Sequence, residues 1–329
     1  MRILIIKLSS LGDLFHALPT VHMLRNAYPD ATIDWVTHST YKPLVACFTD
    51  VNGSIGYPRH SFRKDGRAFL RELRREPYDL ILDLQGLLKS AAVAKLARGT
   101  RRIGPSFHRE GSHLLYHAVA GPRNLERHAV EQILDVIDDL GIKRSKPVFP
   151  VAFPSRQDRP PSPHIVIAPA SRWPSKNWPP ERFAETARAL QKEGNASISI
   201  IGAPGEEAIC ETVAKALDGH CQNYAGQTSL VEMGSILASA NLLLANDSGP
   251  VHMAAAIGTP TVVVFGPTNP VRIGPYGEGH QVLLPSTPCM CGRTRICKTP
   301  QTACINEIPA DAAIHAANRI LTARAYPRG

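Results

Sequence analysis

A short polar stretch around Asp247 carries residue types that can bind an anionic ligand. It reads NDSGPVH over residues 246–252, and it follows the apolar run LLLA at 242–245. The apolar run predicts a buried strand, and the polar cluster predicts a turn followed by the start of a helix. The start of a helix favours an anion, because N–H groups are free there and the helix dipole is positive.

Two interpretations of this stretch are open. In the first, Asp247 or Ser248 only caps the helix. Capping does not explain His252, which would lie in the first helical turn, where the dipole disfavours a cation. A neutral histidine directed at a ligand fits that position better. We therefore predict a ligand site at Asp247, Ser248, Gly249 and His252, where Gly249 permits close approach of the backbone.

The elements around this stretch form one βαβ unit. We predict a helix over 251–257 that ends at Gly258, followed by a strand over 261–265. In an open α/β sheet, ligands bind beyond the carboxyl ends of the strands. The polar turn after residue 245 lies at such an end.

The start of the chain predicts a second strand-to-helix turn with different chemistry. Residues 2–8 predict a strand, 9–13 a turn, and 14–27 a helix that Pro19 kinks or divides. The turn lacks GxGxxG, and Asp13 would repel a phosphate. Asp13 is instead suited to a general base or a hydroxyl-binding group, with a helix cap as the alternative.

Strands and helices alternate along the whole chain of 329 residues, which is 43% hydrophobic and 20% charged. This composition is that of a globular protein, and the alternation predicts doubly wound parallel sheets. A proline-rich stretch at 151–163 predicts a linker between a first domain over 1–150 and a second over 164–329. The fold class is therefore α/β, with two Rossmann-like domains that face a cleft.

The net charge of +9 indicates an anionic partner. Much of the basic run at 59–75 is typical of a solvated helix face, but Arg59, Arg63 and Lys64 are expected to precede the helix and to contact anions. Nucleic acid is disfavoured because no aromatic residues interleave with the basic ones. No spanning run or signal peptide is evident, so we expect a cytoplasmic protein that is peripheral to an anionic membrane surface.

Four cysteines lie close together near the end of the chain. Their spacing is C-x-C-x5-C-x6-C, which differs from standard zinc patterns. A structural metal site, paired thiols and reduced thiols all remain open for Cys289, Cys291, Cys297 and Cys304.

Four segments together resemble glycosyltransferase family 9, the ADP-heptose:lipopolysaccharide heptosyltransferases. They are KLSSLGDLFHALP at 7–19, DLQG at 83–86, SRWPSKNWP at 171–179 and NDSGPVHMAAAIGTPTVVVFGPTNP at 246–270. The similarity covers essentially the whole chain. The first segment, with His-Arg-Glu at 108–110, is most like the members that add the first heptose to Kdo.

The resemblance implies a GT-B fold and inverting transfer without a cofactor or a required metal. The implied donor is ADP-L-glycero-D-manno-heptose, and the implied acceptor is Kdo-lipid A at the cytoplasmic face of the inner membrane. Asp13 matches the family's base, and Lys176 its diphosphate contact. The family's donor-binding positions are further matched by Ser171, Glu206, Asp247, Ser248, Gly249 and His252. Its acceptor-binding positions are matched by Arg59, Arg63, Lys64 and Arg109.

The sequence leaves alternatives open for the donor sugar, for two site residues and for the function. Ser171-Arg172 stands where related sequences often have two threonines, which leaves the donor sugar open. Without the resemblance, Lys176 would be interpreted as an exposed loop lysine, and Glu207 competes with Glu206 for the ribose. Another lipopolysaccharide-core transferase and a non-catalytic nucleotide-sugar-binding homologue are the competing functions. The presence of Asp13, Lys176 and His252 argues against the second of these.

Overall fold

The computed structural model describes residues 1–158, 160, 163–287, 289, 294–298 and 304–325. The chain divides into two compact units, Met1–Ala152 and Phe153–Gly329. Each unit contains one six-stranded sheet whose pairings are all parallel. The predicted doubly wound α/β architecture is confirmed in both units.

The first unit alternates strands and helices in the expected order. Its strands are β1 (Arg2–Ile6), β2 (Thr32–His38), β3 (Gly53–Tyr57), β4 (Tyr78–Asp83), β5 (Gly99–Pro105) and β6 (Ala118–Ala120). Its helices are α1 (Leu11–His16), α2 (Leu18–Ala27), α3 (Lys42–Val45), α4 (Phe62–Leu73), α5 (Leu88–Leu96) and α6 (Ala129–Asp139). The strand order is β3-β2-β1-β4-β5-β6, so it reverses between β1 and β4.

Two helix boundaries in this unit differ from the sequence-based expectation. The helix predicted from residue 14 begins at Leu11, because Ser10 and Asp13 start it with a capping box. Pro19 then lies in the first turn of α2, where its missing N–H costs nothing, so it marks a second helix start. Arg63 and Lys64, expected before the helix, instead lie in the first turn of α4.

The second unit repeats this arrangement. Its strands are β7 (His164–Ala168), β8 (Ser197–Ile200), β9 (Gln222–Asn223), β10 (Leu242–Asn246), β11 (Thr261–Val264) and β12 (Gln281–Leu283). Its helices are α7 (Pro180–Gly194), α8 (Glu207–Ala216), α9 (Leu230–Ala238), α10 (Gly249–Ala256), α11 (Pro270–Ile273) and α12 (Ala310–Ala325). The order β12-β11-β10-β7-β8-β9 reverses between β7 and β10.

The central strands explain why both sheets form. Every residue of β7 and of β10 is buried, as expected for parallel strands that are covered by helices on both faces. The segment that follows residue 152 is tied to the second unit, because the ring of Phe153 lies against Gly234. Within the described part of the chain, none of the helices has the length and apolar content needed to cross a membrane.

The strand reversals define where ligands are expected. The crevice at such a switch point lies beyond the carboxyl ends of the two strands that flank it. In the first unit these ends carry the segments after Ile6 and after Asp83, and in the second unit the segments after Ala168 and after Asn246.

Candidate functional site

A buried ion pair occupies the switch point of the second unit. Lys176 Nζ lies 2.6 Å from Asp247 Oδ2, and their side chains are 13% and 4% exposed. The hydroxyl of Thr268 donates to the same carboxylate oxygen at 2.5 Å. Asp247 is thus committed to holding a lysine rather than to capping a helix, so the capping interpretation is wrong for this residue.

The loop after β7 brings Lys176 to the carboxyl end of β10. Lys176 closes a short 3-10 turn over Pro174–Lys176, and its Nζ lies 5.0 Å from the ring centre of Trp173. Ser171 is also at this place, because its hydroxyl donates to the Asp247 carbonyl at 3.3 Å. The structure therefore brings together three of the predicted donor-site residues, Lys176, Ser171 and Asp247.

Asparagine side chains lock this loop to the strand end. The Asn246 carboxamide accepts from the Trp178 N–H at 3.0 Å and donates to the Pro169 carbonyl at 2.6 Å. Asn177 accepts from the Ser171 N–H at 2.8 Å. Because Asn246 is fully buried, these bonds fix the loop on both sides of Lys176.

The start of α10 offers fewer backbone donors than expected. Ser248 is the N-cap residue, but its side chain does not cap the helix. Pro250 has no N–H, and the Val251 N–H donates to the Ser248 carbonyl at 3.2 Å. Of the first three helical residues, Gly249 alone keeps an N–H for a ligand, and His252 follows it half-buried in the same helix.

The Ser248 hydroxyl is a buried polar atom that has no hydrogen-bond partner among the described residues. A buried hydroxyl without a partner costs free energy, so such a residue at a strand end is a candidate for contact with a bound group. The hydroxyl is therefore consistent with the predicted site around α10.

Glu206 follows β8, the strand next to β7, and it does not take part in the Lys176–Asp247 ion pair. It is the N-cap of α8, and its Oε2 accepts from the Ala203 N–H at 2.8 Å. Glu207 accepts from the Gly205 N–H at 2.8 Å, and such backbone donors lower the pKa of Glu207. Both carboxylates shape the turn after β8.

Asp13 lies in the first turn of α1, beyond the carboxyl end of β1. Its Oδ2 accepts from the backbone N–H and from the hydroxyl of Ser10, each at 2.8 Å. Its Oδ1 lies 3.9 Å from His16 Nδ1, and the Asp13 side chain is 41% exposed. The carboxylate thus caps the helix start with Oδ2, while Oδ1 lies on the side of His16.

Two buried charged residues near the switch point of the first unit, Lys7 and Asp83, were not among the predicted site residues. Lys7 is 4% exposed, and its Nζ donates to the Leu84 carbonyl at 2.6 Å. Burial lowers the pKa of Lys7, while the Asp13 and Asp83 carboxylates oppose that shift. Asp83 is fully buried and accepts from the Tyr116 hydroxyl at 2.6 Å. Burial raises the pKa of Asp83 against that bond.

The predicted acceptor-binding residues are exposed and lie on both sides of the switch point. Arg59, Arg63 and Lys64 follow β3, and Arg109 follows β5. Four strand spacings separate β3 from β5 in the sheet, which is about 19 Å at the usual strand separation.

The basic residues near β3 also affect a neighbouring histidine. Burial lowers the pKa of His38, and the electrostatic effects of His60, Arg59 and Lys89 add to this shift.

The cysteine prediction falls partly outside the described residues. Cys289, Cys297 and Cys304 are half-buried, whereas Cys291 lies outside that part of the chain. Over the described ranges, no cluster of three or more His, Cys, Asp or Glu side chains is arranged to hold a metal ion.

A family model and curated relatives match the chain over most of its length. The model of glycosyltransferase family 9 (heptosyltransferase) matches residues 66–303. Lipopolysaccharide heptosyltransferase 1 of Pseudomonas aeruginosa is 30% identical over 316 residues, covering 88% of this chain and 86% of that protein. Lipooligosaccharide heptosyltransferase 2 of Haemophilus influenzae is 28% identical over 311 residues, covering 86% and 88%.

Solved structures are similar over nearly the whole chain. The E. coli heptosyltransferase WaaC with ADP has a TM-score of 0.82 at 26% identity, and the match covers 97% of this chain and 100% of that one. The same enzyme with ADP-2-deoxy-2-fluoro heptose has a TM-score of 0.80 at 25% identity, covering 97% and 99%.

Proposed function

We propose a reaction and substrates for this chain, which belongs to glycosyltransferase family 9, the heptosyltransferases. It transfers heptose from ADP-L-glycero-D-manno-heptose to the Kdo of the lipopolysaccharide inner core, with inversion at the anomeric carbon. The observation that carries the proposal is the buried Lys176–Asp247 pair at the carboxyl ends of β7 and β10. This is where an α/β sheet holds a nucleotide diphosphate.

The relatives support this choice of donor and acceptor. The P. aeruginosa relative is named for heptose transfer to lipopolysaccharide. The E. coli structures contain ADP and a fluorinated ADP-heptose, so a relative of the same fold binds this class of donor.

Asp13 is the base in this proposal. The acceptor hydroxyl attacks the anomeric carbon of the donor, and its proton passes to Asp13 Oδ1 as the new C–O bond forms. The bond between the anomeric carbon and the diphosphate breaks, and its electron pair leaves with ADP. Because Ser10 holds Oδ2 with two hydrogen bonds, Oδ1 is the oxygen that is available for this step.

Lys176 stabilises the leaving diphosphate. An ammonium has three N–H donors, and the bond to Asp247 uses one of them, so two remain for phosphate oxygens. The Gly249 N–H and the Ser248 hydroxyl add neutral donors to the same region. Asp247 Oδ1 is left to accept a sugar hydroxyl, and His252 of α10 is assigned to the same sugar.

Glu206 and Ser171 complete the donor side. Glu206 has one oxygen that is not committed to the turn after β8, and it is assigned to the ribose of the adenosine. Ser171 is held beside Asp247 and is assigned to the diphosphate. No cofactor and no metal ion takes part in these steps.

The basic residues of the first unit bind the acceptor. Kdo carries a carboxylate and lipid A carries phosphates, and Arg59, Arg63, Lys64 and Arg109 are exposed cations that suit them. Phosphate and carboxylate contacts of this kind fix the acceptor while Asp13 acts on its hydroxyl.

The exposed face of α4 supports association with the anionic cytoplasmic face of the inner membrane. Four arginines on it recur every three or four residues and therefore lie along one side: Arg63, Arg67, Arg71 and Arg74. Each basic group near such a surface contributes about 1 kcal/mol to the binding free energy.

Vesicle binding tests this surface. The R67E/R71E variant should bind phosphatidylglycerol vesicles at least about tenfold more weakly than the unmodified protein, whereas K192E/K215E in the second unit should bind them equally well. Equal binding by all three would refute this surface.

An assay of ADP release tests the reaction. The enzyme is expected to release ADP when it is given ADP-heptose together with Kdo-lipid A, and to release far less when either is omitted. The Lys176→Met variant should lose release by about a hundredfold, as expected when a leaving-group contact is removed. No release with any nucleotide-sugar, whether the acceptor is Kdo-lipid A or Kdo-lipid A that already carries one heptose, would contradict the proposed function and favour a binding homologue.

A second candidate keeps the donor and changes the acceptor. The match to a heptosyltransferase 2 at 28% identity is nearly as strong as the match at 30% to a heptosyltransferase 1. Kdo-lipid A that already carries one heptose separates the two candidates. Transfer to that acceptor and not to Kdo-lipid A would assign the second candidate.

A further inference from the structure

His16, the last residue of α1, lies beside the available oxygen of Asp13. Its Nδ1 is 3.9 Å from Asp13 Oδ1, on the side of the carboxylate away from Ser10. The two side chains are one helical turn apart, and side chains at this spacing lie on the same face. His16 is only 4% exposed, whereas Asp13 is 41% exposed. Asp13 therefore lies between solvent and a buried imidazole.

The surroundings of His16 keep it in place. Its ring meets the ring of His128 edge-on, with centres 5.5 Å apart and planes at 77°. His128 is the N-cap of α6 and accepts from the Val130 N–H at 3.1 Å, so its own position is fixed by that helix. The titratable neighbours of His16 include Asp13 on its own helix and His128 on α6.

We propose that His16 is a positioning residue that acts through Asp13 and takes up the proton which Asp13 accepts. This inference rests on the proposed function, in which Asp13 is the base. The acceptor O–H bond breaks and its proton binds Asp13 Oδ1, while the electron pair of the donor C–O bond leaves with ADP. The proton then passes from Oδ1 to Nδ1, which leaves a carboxylate next to an imidazolium, and it is finally released to solvent.

The chemistry of the two groups favours this direction of transfer. An imidazole is a stronger base than a carboxylate in water, so a proton shared by such a pair favours the imidazole. The imidazolium formed would be stabilised by the carboxylate beside it. Transfer needs a hydrogen-bond distance, so the Asp13 side chain must move by about 1 Å towards His16.

The conservative variant His16→Asn tests the inference. Asparagine can donate a hydrogen bond to Asp13 and hold it in place, but it cannot accept a proton. We expect the kcat of H16N to fall by about tenfold or more, with KM for ADP-heptose within about twofold. The acid limb of its pH–rate profile should move to lower pH, because no imidazole is then left to take up the proton. His220→Asn, the same substitution at an exposed histidine of the second unit, is the matched control and should retain the rate and the profile.

The outcomes separate this inference from the proposed function. If Asp13→Asn abolishes transfer while H16N keeps the kcat of the parent protein or an unchanged acid limb, the base assignment holds and the role of His16 is refuted. If Asp13→Asn transfers heptose at the parent rate, the base assignment itself fails. A thermal unfolding midpoint of H16N close to that of the parent protein shows that any loss of rate is not a loss of fold.

Discussion

Replacing Lys176 with methionine should destabilise the second unit, because it leaves the buried carboxylate of Asp247 without its cationic partner. Removing one member of a buried ion pair costs about 3–5 kcal/mol. Lys176 is 13% exposed, and Thr268 still donates to the carboxylate, so we expect a cost at or just below the lower end of that range, about 2–3 kcal/mol. For a unit of this size, that loss lowers Tm by about 5–10 °C.

The double variant K176M/D247N separates stability from activity. It removes both charges, so its free energy of unfolding should return to within about 1 kcal/mol of the parent value. ADP release should stay low in both variants, because neither has a cation for the diphosphate. Lys192→Met, an exposed change of the same kind on α7, is the matched control and should leave both quantities unchanged.

Calorimetry or circular dichroism gives Tm, and coupled ADP detection gives the rate. A single variant as stable as the parent protein would refute the stabilising role of the ion pair. A double variant that regains ADP release would refute the assignment of Lys176 to the leaving group.

Three further predictions follow from contacts in the two units. Thr268→Val removes the hydroxyl that donates to the buried Asp247 carboxylate, so it should lower the free energy of unfolding by about 1–2 kcal/mol and raise KM for the donor. Thr268→Ser keeps a hydroxyl and should have the stability and the KM of the parent protein. Equal behaviour of the two variants in denaturant titration and kinetics would contradict this. Burial raises the pKa of Asp83 above its ordinary 3.8, so just above pH 3.8 the folded state binds more protons than the unfolded state, and stability falls as the pH rises through this window. The urea midpoint of Asp83→Asn should therefore depend less on pH in this window than that of the parent protein. An unchanged pH dependence would refute the raised pKa. A Cβ on Gly104 would overlap the Tyr116 ring, so Gly104→Ala should lower stability by about 1–3 kcal/mol in urea unfolding. Gly194→Ala, where a Cβ meets open space, should not, and equal midpoints for the two variants would contradict this.

The fold could be predicted from the sequence because its elements are locally marked. The apolar run at Leu242 and the polar turn after it identify a parallel strand and a helix start without any tertiary information. The similarity to solved heptosyltransferase structures confirms the predicted GT-B fold class. The predicted helix boundaries were wrong where side-chain capping sets the start of a helix. At Leu11 a capping box begins α1 before the apolar pattern begins.

The candidate site could be predicted only in part. Asp247 and Lys176 were identified separately, but their direct pairing depends on the folding of a loop 71 residues away in the chain. Thr268 carries no local signal except that it follows β11, the strand beside β10. Lys7 was visible as a charge inside an apolar run, yet its burial beside Asp83 requires the β1–β4 pairing. Such long-range partners are set by topology and not by residue spacing.

The most direct test of the proposed mechanism measures donor binding and heptose transfer for Asp13→Asn in the same preparation. Asparagine keeps an oxygen for the Ser10 donors, so α1 should persist and the variant should fold. We predict that ADP-heptose binds to D13N by calorimetry within about threefold of the parent affinity, while transfer to the acceptor falls by at least about a hundredfold. Transfer at the parent rate, with the donor bound equally well, would contradict the assignment of Asp13 as the base.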